Sequence, residues 1–251
     1  MLILSSCEIR EPEEKPDYTK TGEQMFHVAE SEISFAIQQL DYILKFNSYF
    51  NATGSLKDQL KGLYFPNYSI NQISSSNWII NNSTDTLISF ITDTKSFNEI
   101  GSEWKIKRRF FNEYFSIKCI DNKKWFLKTD SLEYYNRISS DSLVFECNNV
   151  LQPSTFQFSN FSISGKCNLL LNYSNQVHLN FETVTPLVYD STLFMIKSGS
   201  LKINAIELST QRTKEATAEY LSADSSKKNV KISIDGFSKT YQYWENYFYN
   251  F

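Results

Sequence analysis

Glycine is scarce in this chain, with 7 occurrences in 251 residues, and histidine is scarcer, with 2. Few glycines argue against a fold built from glycine-punctuated repeats. The net charge is −3 with both signs interspersed, which offers no basic surface for nucleic acid. No apolar run approaches the ~20 residues that a membrane-spanning helix needs. We therefore expect neither a nucleic-acid partner nor a helical span within this sequence.

The motifs of common catalytic and cofactor sites are missing as well. The sequence contains no Gly-x-Ser-x-Gly elbow, His-Glu-x-x-His pair, phosphate-binding loop, dinucleotide fingerprint or EF-hand loop. Its cysteines lack zinc spacing, and its acidic residues are too scattered to locate a glycosidase pair. We predict no cofactor, no metal site and no catalytic residues, although a pair that assembles only in space would escape this search.

Aromatic residues are abundant, at 16 %, and so are Asn and Ser. Phe and Tyr favour strands, whereas Asn and Ser favour turns. From about Trp78 onward apolar residues recur with a period of two, which indicates half-buried antiparallel strands. The strands are predicted at 86–92, 103–110, 113–120, 124–129, 142–147, 154–164, 167–173, 177–183, 192–197, 201–205, 215–222, 230–234 and 238–248.

The N-terminal part has a helical pattern instead. Thr21 and Gln24 have the spacing of a capping box, and apolar residues then recur at helical spacing. The pattern predicts an amphipathic helix over 22–47 and a short second helix over 55–63. The apolar stripe of the first helix is expected to pack on a sheet. Its opposite, polar face carries Glu23, Glu30, Glu32, Gln38 and Asp41.

These elements predict a mainly β protein, in which an N-terminal amphipathic helix packs on antiparallel sheets arranged as a sandwich or an open, barrel-like meander. Residues 1–20 are interpreted as a residual signal and a disordered tether. Residues 21–251 are predicted to form one domain, with two possible sheet units dividing near 150. The alternation of strands and helices that a parallel sheet requires is missing.

The N-terminal residues Leu4-Ser5-Ser6-Cys7 have the pattern of a bacterial lipobox, in which small residues precede the cysteine that receives the lipid. The basic and apolar regions of a full signal are short or missing, so the start codon is placed too late or the apolar part was trimmed. Residues 8–17 are charged and poor in apolar residues, as expected of a disordered tether. A chance Leu-Ser-Ser-Cys is the alternative.

This segment resembles the lipoproteins of the Bacteroidota, in which an acidic run follows the lipidated cysteine. The resemblance covers only residues 4–17. It implies lipidation at Cys7, a membrane partner through that anchor, and a location in the cell envelope, on the outer membrane, facing the periplasm or the surface. It implies no activity.

The other three cysteines, Cys119, Cys147 and Cys167, lie in strand-like contexts. We interpret them as small buried residues. A single disulfide among them is the alternative, and the sequence does not select its partners.

Weak candidates for ligand binding are three tryptophans and a histidine. Trp78, Trp125 and Trp244 could stack on sugars, although such rings more often fill a core. His178 shares a strand face with Asn180 and Glu182, a row that could line a polar groove but is more often solvated.

Two further patterns have competing interpretations. The run Lys105-Ile106-Lys107-Arg108-Arg109 places Lys105, Lys107 and Arg109 on one strand face, which could contact anionic lipid or glycan. More often such a face protects an edge strand from aggregation. The aromatic residues at 241–251 resemble the last strand of an outer-membrane β-barrel, but the predicted soluble helix and the short strands argue against it.

The sequence thus favours a lipid-anchored envelope protein that binds a ligand or partner without catalysis. The alternatives are a carbohydrate-binding or carbohydrate-processing surface lipoprotein and an outer-membrane β-barrel. A glycan or an envelope protein is the expected partner.

Overall fold

A computed structural model describes residues 18–81, 86–92, 97, 99–121, 123–147, 160–172, 176–190, 193, 195–224 and 227–244. Two helices come first, α1 (Thr19–Asn51) and α2 (Gly54–Tyr64). The strands follow in the order β1 (Ser69–Gln72), β2 (Asn77–Asn81), β3 (Thr86–Thr92), β4 (Glu103–Arg108), β5 (Phe115–Asp121), β6 (Lys124–Lys128), β7 (Leu132–Tyr134), β8 (Arg137–Cys147), β9 (Phe161–Leu171), β10 (Val177–Asp190), β11 (Met195–Glu207), β12 (Arg212–Ala223), β13 (Lys227–Ile234) and β14 (Phe237–Trp244).

The strands form a single antiparallel sheet whose order follows the chain. Each strand pairs with the next from β1 to β6, β6 pairs with β8, and the meander continues from β8 to β14. The short β7 pairs with β8 beside this path. The sheet is open, so the predicted fold class is confirmed in its open-meander form. The predicted division near 150 falls on residues 148–159, outside the described ranges, while β8 and β9 pair along Arg137–Cys147.

Helix α1 lies against the inner face of this sheet along its whole length. Its 33 residues span about 50 Å at 1.5 Å per residue. Near its start Phe26 contacts Tyr220 on β12, with ring centroids 5.7 Å apart. Near its end Phe46 stacks on Phe90 of β3 at 4.2 Å. The apolar residues of one helix therefore join opposite ends of the sheet in one core.

The surroundings of α1 differ from those of an amphipathic surface helix. Glu30 and Glu32, assigned to its polar face, are 3 % and 1 % exposed. Gln39 is fully buried. A sheet that contacts a helix on several sides leaves no wide polar stripe in water. The helical period was therefore predicted correctly, but the polar face was wrongly predicted to be exposed.

The ends of the helices also refine the prediction. Helix α1 begins at Thr19 after Tyr18, with no capping hydrogen bond from a side chain. The prediction of a capping box at Thr21 and Gln24 is therefore wrong, because both residues already lie inside the helix. The C-terminal end extends to Asn51, where Ala52 donates its N–H to the Tyr49 carbonyl. The second helix matches its predicted position within one residue at each end.

Two glycines explain why the long strands were predicted as pairs of shorter ones. Gly165 lies within β9 at φ 139°, and Gly199 lies within β11 at φ 114°. A Cβ at Gly165 would come 2.1 Å from the Ser142 carbonyl oxygen, and one at Gly199 would come 2.5 Å from the Pro186 carbonyl oxygen. Glycine thus allows a close approach to the neighbouring strand while the strand continues. The predicted breaks between 164 and 167 and between 197 and 201 are wrong.

The basic strand and the cysteines have clear positions in the sheet. β4 pairs with β3 on one side and β5 on the other, so it is an interior strand, and its interpretation as a protected edge is wrong. Cys119, Cys147 and Cys167 lie on β5, β8 and β9 as buried thiols. No disulfide joins these three positions in the described residues, which confirms their interpretation as small buried side chains.

Neither α1 nor α2, the helices within the described ranges, combines the length and apolar character needed to cross a membrane.

Candidate functional site

A pocket of about 710 Å³ opens between the first half of α1 and two turns of the sheet. One turn connects β4 to β5, and the other connects β7 to β8. Its volume falls within the range of small-molecule sites, roughly 300–1,000 Å³. Its lining is mostly apolar and consists of His27, Val28, Glu30, Ser31, Ser34, Phe35, Gln38, Arg108, Phe110, Phe111, Tyr134, Tyr135, Asn136 and Arg137.

Helical spacing and strand pairing bring these residues together. His27, Ser31, Ser34 and Gln38 recur at intervals of three and four along α1, which places them on one face. The two turns are joined by an antiparallel bridge between Phe111 and Tyr134. The pocket is therefore assembled from segments about 100 residues apart in the chain.

Stacked aromatic rings form the walls of the pocket. Phe35 on α1 stacks on Tyr134 at a centroid distance of 4.8 Å and meets Phe111 edge-on at 5.4 Å. At the rim, Phe110 and Tyr135 contact each other at 5.2 Å, although they are 56 % and 75 % exposed. Exposed neighbouring aromatic rings beside a cavity are typical of ligand or partner sites.

A buried carboxyl group lies directly below the wall formed by Tyr134. Glu32 accepts a hydrogen bond from the Tyr134 hydroxyl at 2.5 Å, and its Oε2 lies 3.7 Å from a guanidinium nitrogen of Arg137. Burial raises the pKa of Glu32 to about 8, and the negative charge of Asp141 adds to this effect. Glu32 is therefore largely protonated at neutral pH.

Asp141 is the second acid of this buried cluster. Burial raises the pKa of Asp141 to about 6, while its backbone N–H donates to Thr129 Oγ1 at 2.8 Å. Burial also raises the pKa of the Cys167 thiol, and the charge of Asp141 contributes. Glu32 Oε1, Ser139 Oγ and Asp141 Oδ1 have no hydrogen-bond partner among the described residues. Two acids that share an apolar interior hold protons more strongly than either would in water.

The third acid, Glu30, is held by a different set of partners. It forms a buried ion pair with Lys228 of β13, a residue only 1 % exposed. The same carboxylate oxygen accepts a hydrogen bond from the Tyr220 hydroxyl at 3.0 Å. Burial and the Glu30 charge raise the pKa of Tyr220, so its hydroxyl stays protonated and donates. Glu30 thus connects the pocket wall to the sheet.

The pocket combines aromatic ring faces with carboxyl groups that neighbouring side chains hold in place. Glu30 accepts a hydrogen bond from Tyr220, and Glu32 accepts one from Tyr134. His27 Nε2 lies 3.8 Å from Glu23 Oε1. Across the described ranges, no group of three or more His, Cys, Asp or Glu side chains is arranged to hold a metal ion.

The candidates from the sequence lie elsewhere in the fold. Trp78 is 8 % exposed and meets Phe46 edge-on at 5.7 Å. Trp125 is fully buried, stacks on Phe97 at 5.6 Å and donates its indole N–H to the Phe97 carbonyl at 3.3 Å. Both sets of contacts are those of core residues.

The remaining candidates are not brought to the pocket. His178 is half-buried on β10, opposite Leu170 and Ile206, and Glu182 on the same face pairs with Lys166 at 3.4 Å. Cys7 and the side chain of Trp244 lie outside what the structure describes. None of the described candidates lines the pocket.

Comparison of the chain with known protein families, curated proteins and solved structures finds no match. The pocket and its chemistry are therefore the basis for the functional interpretation.

Proposed function

We propose that this chain is a binding protein of the cell envelope, without catalytic activity, whose ligand site is the pocket beside α1. The observation that carries this proposal is a cavity of about 710 Å³ with aromatic walls and an exposed aromatic rim. Such a surface stabilises an apolar ligand by removing it from water, at roughly 25 cal/mol per Å² of apolar area. The ligand is a small molecule with a largely apolar body.

The acids near the pocket support binding rather than catalysis. Glu30 is engaged by Lys228 and Tyr220, and Glu32 is engaged by Tyr134. A general acid or base must reach the proton that it transfers. Carboxyl groups held in this way position the helix and the pocket wall.

The envelope location rests on the proposed lipid anchor at Cys7. Residues 8–17 provide a charged connection between that anchor and the start of α1. In cells grown with a radiolabelled fatty acid, the full-length protein with its native leader should carry the label and sediment with membranes. The Cys7→Ser protein should lose both properties. Equal labelling of the two proteins would refute the anchor.

Filling the pocket should abolish binding of an apolar probe. Val28 lines the cavity from α1, and Val28→Trp places an indole in the space that a ligand would occupy. We expect the affinity for N-phenyl-1-naphthylamine, a neutral dye that fluoresces in apolar sites, to fall at least ~10-fold, since ~1.4 kcal/mol of lost contact is a factor of ten. Fluorescence titration measures the change.

The matched control is Val184→Trp, which makes the same substitution at a valine that is 62 % exposed on β10. This variant should bind the dye as the wild type does. The double variant Phe110→Ala, Tyr135→Ala truncates only exposed rings, so it should fold normally and bind several-fold more weakly. A wild-type protein that does not bind the dye, or a Val28→Trp protein that binds it unchanged, would contradict the proposed site.

A glycan ligand is the second candidate, and the exposed Phe110 and Tyr135 rings favour it. Ring faces at a pocket mouth can stack on the apolar faces of sugars. A glycan array probed with wild type and with the rim double variant distinguishes the two ligands. Glycan signals that disappear in the double variant would favour the sugar over the apolar ligand.

A further inference from the structure

A positively charged side chain that the sequence pattern did not single out lines the pocket. Along β4 the inward-facing residues are Trp104 and Ile106, both fully buried. Arg108 is the next residue on this face because side chains alternate along a strand. It lines the pocket, whereas Lys105 and Lys107 line a different depression on the sheet.

Within the described part of the chain, the guanidinium of Arg108 contacts aromatic rings but no acid. It lies 5.6 Å from the Tyr42 ring centroid and 5.9 Å from that of Phe111. Among the described residues, no carboxylate forms an ion pair with it. Ring contacts hold the guanidinium in place, but they do not neutralise its charge.

The other charged residues of the pocket are held by groups inside the protein. The Glu30 carboxylate is paired with Lys228. Arg137 donates to the Ser31 hydroxyl at 3.5 Å and lies 3.7 Å from Glu32. Because Glu32 is largely protonated at neutral pH, the cavity has an excess positive charge beside apolar walls. Arg108 is the arginine of the lining whose guanidinium has no hydrogen-bond acceptor among the described residues. A planar guanidinium with several N–H donors is well suited to bind a carboxylate through two parallel hydrogen bonds.

We propose that the ligand of this pocket is an amphipathic anion, with an apolar acyl or aryl body against the aromatic walls and one carboxylate on Arg108. This inference rests on the proposed binding function of the same pocket and names its ligand class. The charge selects the ligand, while the ring faces supply most of the contact area.

The test compares ligands that differ only in the head group. Isothermal titration at pH 7.5 with dodecanoate and dodecanol probes an acyl body, and 2-naphthoate and 2-naphthol probe an aryl body. We expect the acid of at least one pair to bind about 10-fold more tightly than its alcohol, because a hydrogen bond between two charged groups is stronger than one to a neutral hydroxyl. The pair with the larger preference identifies the body of the ligand.

Arg108→Gln should remove this preference and leave binding of the alcohols within about twofold of wild type. Arg109→Gln is the matched control, since it removes the same charge from the adjacent residue, which does not line the pocket. It should keep the preference. If Arg108→Gln fails to fold, the comparison of acid with alcohol on wild type still tests whether the pocket prefers an anionic ligand.

The outcomes separate this inference from the proposed function. Equal binding of acids and alcohols by wild type, or a preference that survives Arg108→Gln, would refute the proposal of an anionic ligand on Arg108. The proposal of an apolar binding site would still stand. Failure of all four ligands and of N-phenyl-1-naphthylamine to bind would overturn the site itself. A preference that disappears in both arginine variants would also overturn the assignment to Arg108, because it would reflect the general charge of the surface.

Discussion

Lys228→Met should lower the free energy of unfolding by about 3–5 kcal/mol, the usual cost of leaving one member of a buried ion pair without its partner. Lys228 is 1 % exposed, and its ammonium group pairs with Glu30. Without it, the Glu30 carboxylate keeps only the Tyr220 hydroxyl as a hydrogen-bond partner in the described contacts. Urea denaturation followed by circular dichroism measures the loss.

The cost should be largely reversed when the acid is removed as well. In the double variant Glu30→Met, Lys228→Met, no charge remains buried at this position, and apolar replacements of buried pairs are often neutral or stabilising. We expect the double variant to lie within ~2 kcal/mol of wild type. A double variant less stable than Lys228→Met would show that the pair stabilises the fold beyond satisfying its own charges.

An exposed pair provides the control for this measurement. Lys166 is 73 % exposed and lies 3.4 Å from Glu182. Surface pairs of this kind contribute about 0–1 kcal/mol, so Lys166→Met should have little effect. A large loss of stability in Lys228→Met and a small one in Lys166→Met would identify burial of the ion pair as the cause of the loss.

Stability should fall as the pH rises through neutrality, and Glu32 should be the main reason. Its pKa is raised by burial from 4.5 to about 8, so between these pH values the folded protein holds a proton that the unfolded chain releases. Stability then decreases with pH across this window. Since each pKa unit corresponds to ~1.4 kcal/mol, the total decrease is on the order of 5 kcal/mol, of which about 2 kcal/mol falls between pH 6 and 8.

Glu32→Gln should flatten this dependence above pH 6. A glutamine keeps an oxygen that accepts the Tyr134 hydrogen bond but has no proton to lose. Below pH 6 a smaller slope of the same sign should remain, because burial also raises the pKa of Asp141 to about 6.

Chemical denaturation at pH 6, 7 and 8 checks the Glu32 prediction. Glu133→Gln is the matched control, since it makes the same substitution on the outer side of β7, where Glu133 is exposed. It should retain the slope of the wild type. A Glu32→Gln variant that remains as pH-dependent as wild type would exclude Glu32 as the source.

Local patterns predicted the elements of this fold well. Apolar spacing located α1, and a short second helix was predicted at the position of α2. Alternation located most of the strands, with β3 predicted at its observed bounds, whereas β1, β2 and β7 were not predicted. These signals work because burial of one face imposes a period on neighbouring residues. They failed around Gly165 and Gly199, where the predicted strands stop and begin again although β9 and β11 continue through these residues. The role of each glycine, allowing close approach to the neighbouring strand, depends on residues more than 10 positions away.

The pocket beside α1 could not be predicted from such patterns, for a different reason. Phe110, Tyr135 and Arg108 belong to two turns and a strand end, whose positions are set by pairing across the sheet. Their chemistry was visible in the sequence, in the basic run and the surrounding aromatic residues. Which cation would face the interior depended on the register of β4, and the run as a whole pointed to Lys105, Lys107 and Arg109 instead.

The sequence by itself determined the mainly β class, the N-terminal helix and the meandering order of strands, because these follow from contacts between residues that are close in the chain. Only the tertiary structure decided that α1 is enclosed, that Glu30 and Glu32 are buried, and that Arg108 enters an aromatic pocket. Those features arise where α1 meets strands about 70 to 200 residues away, as in the pair of Glu30 with Lys228. A periodic pattern shows that a face is polar, but whether that face meets water or another polar group depends on what the rest of the chain places against it.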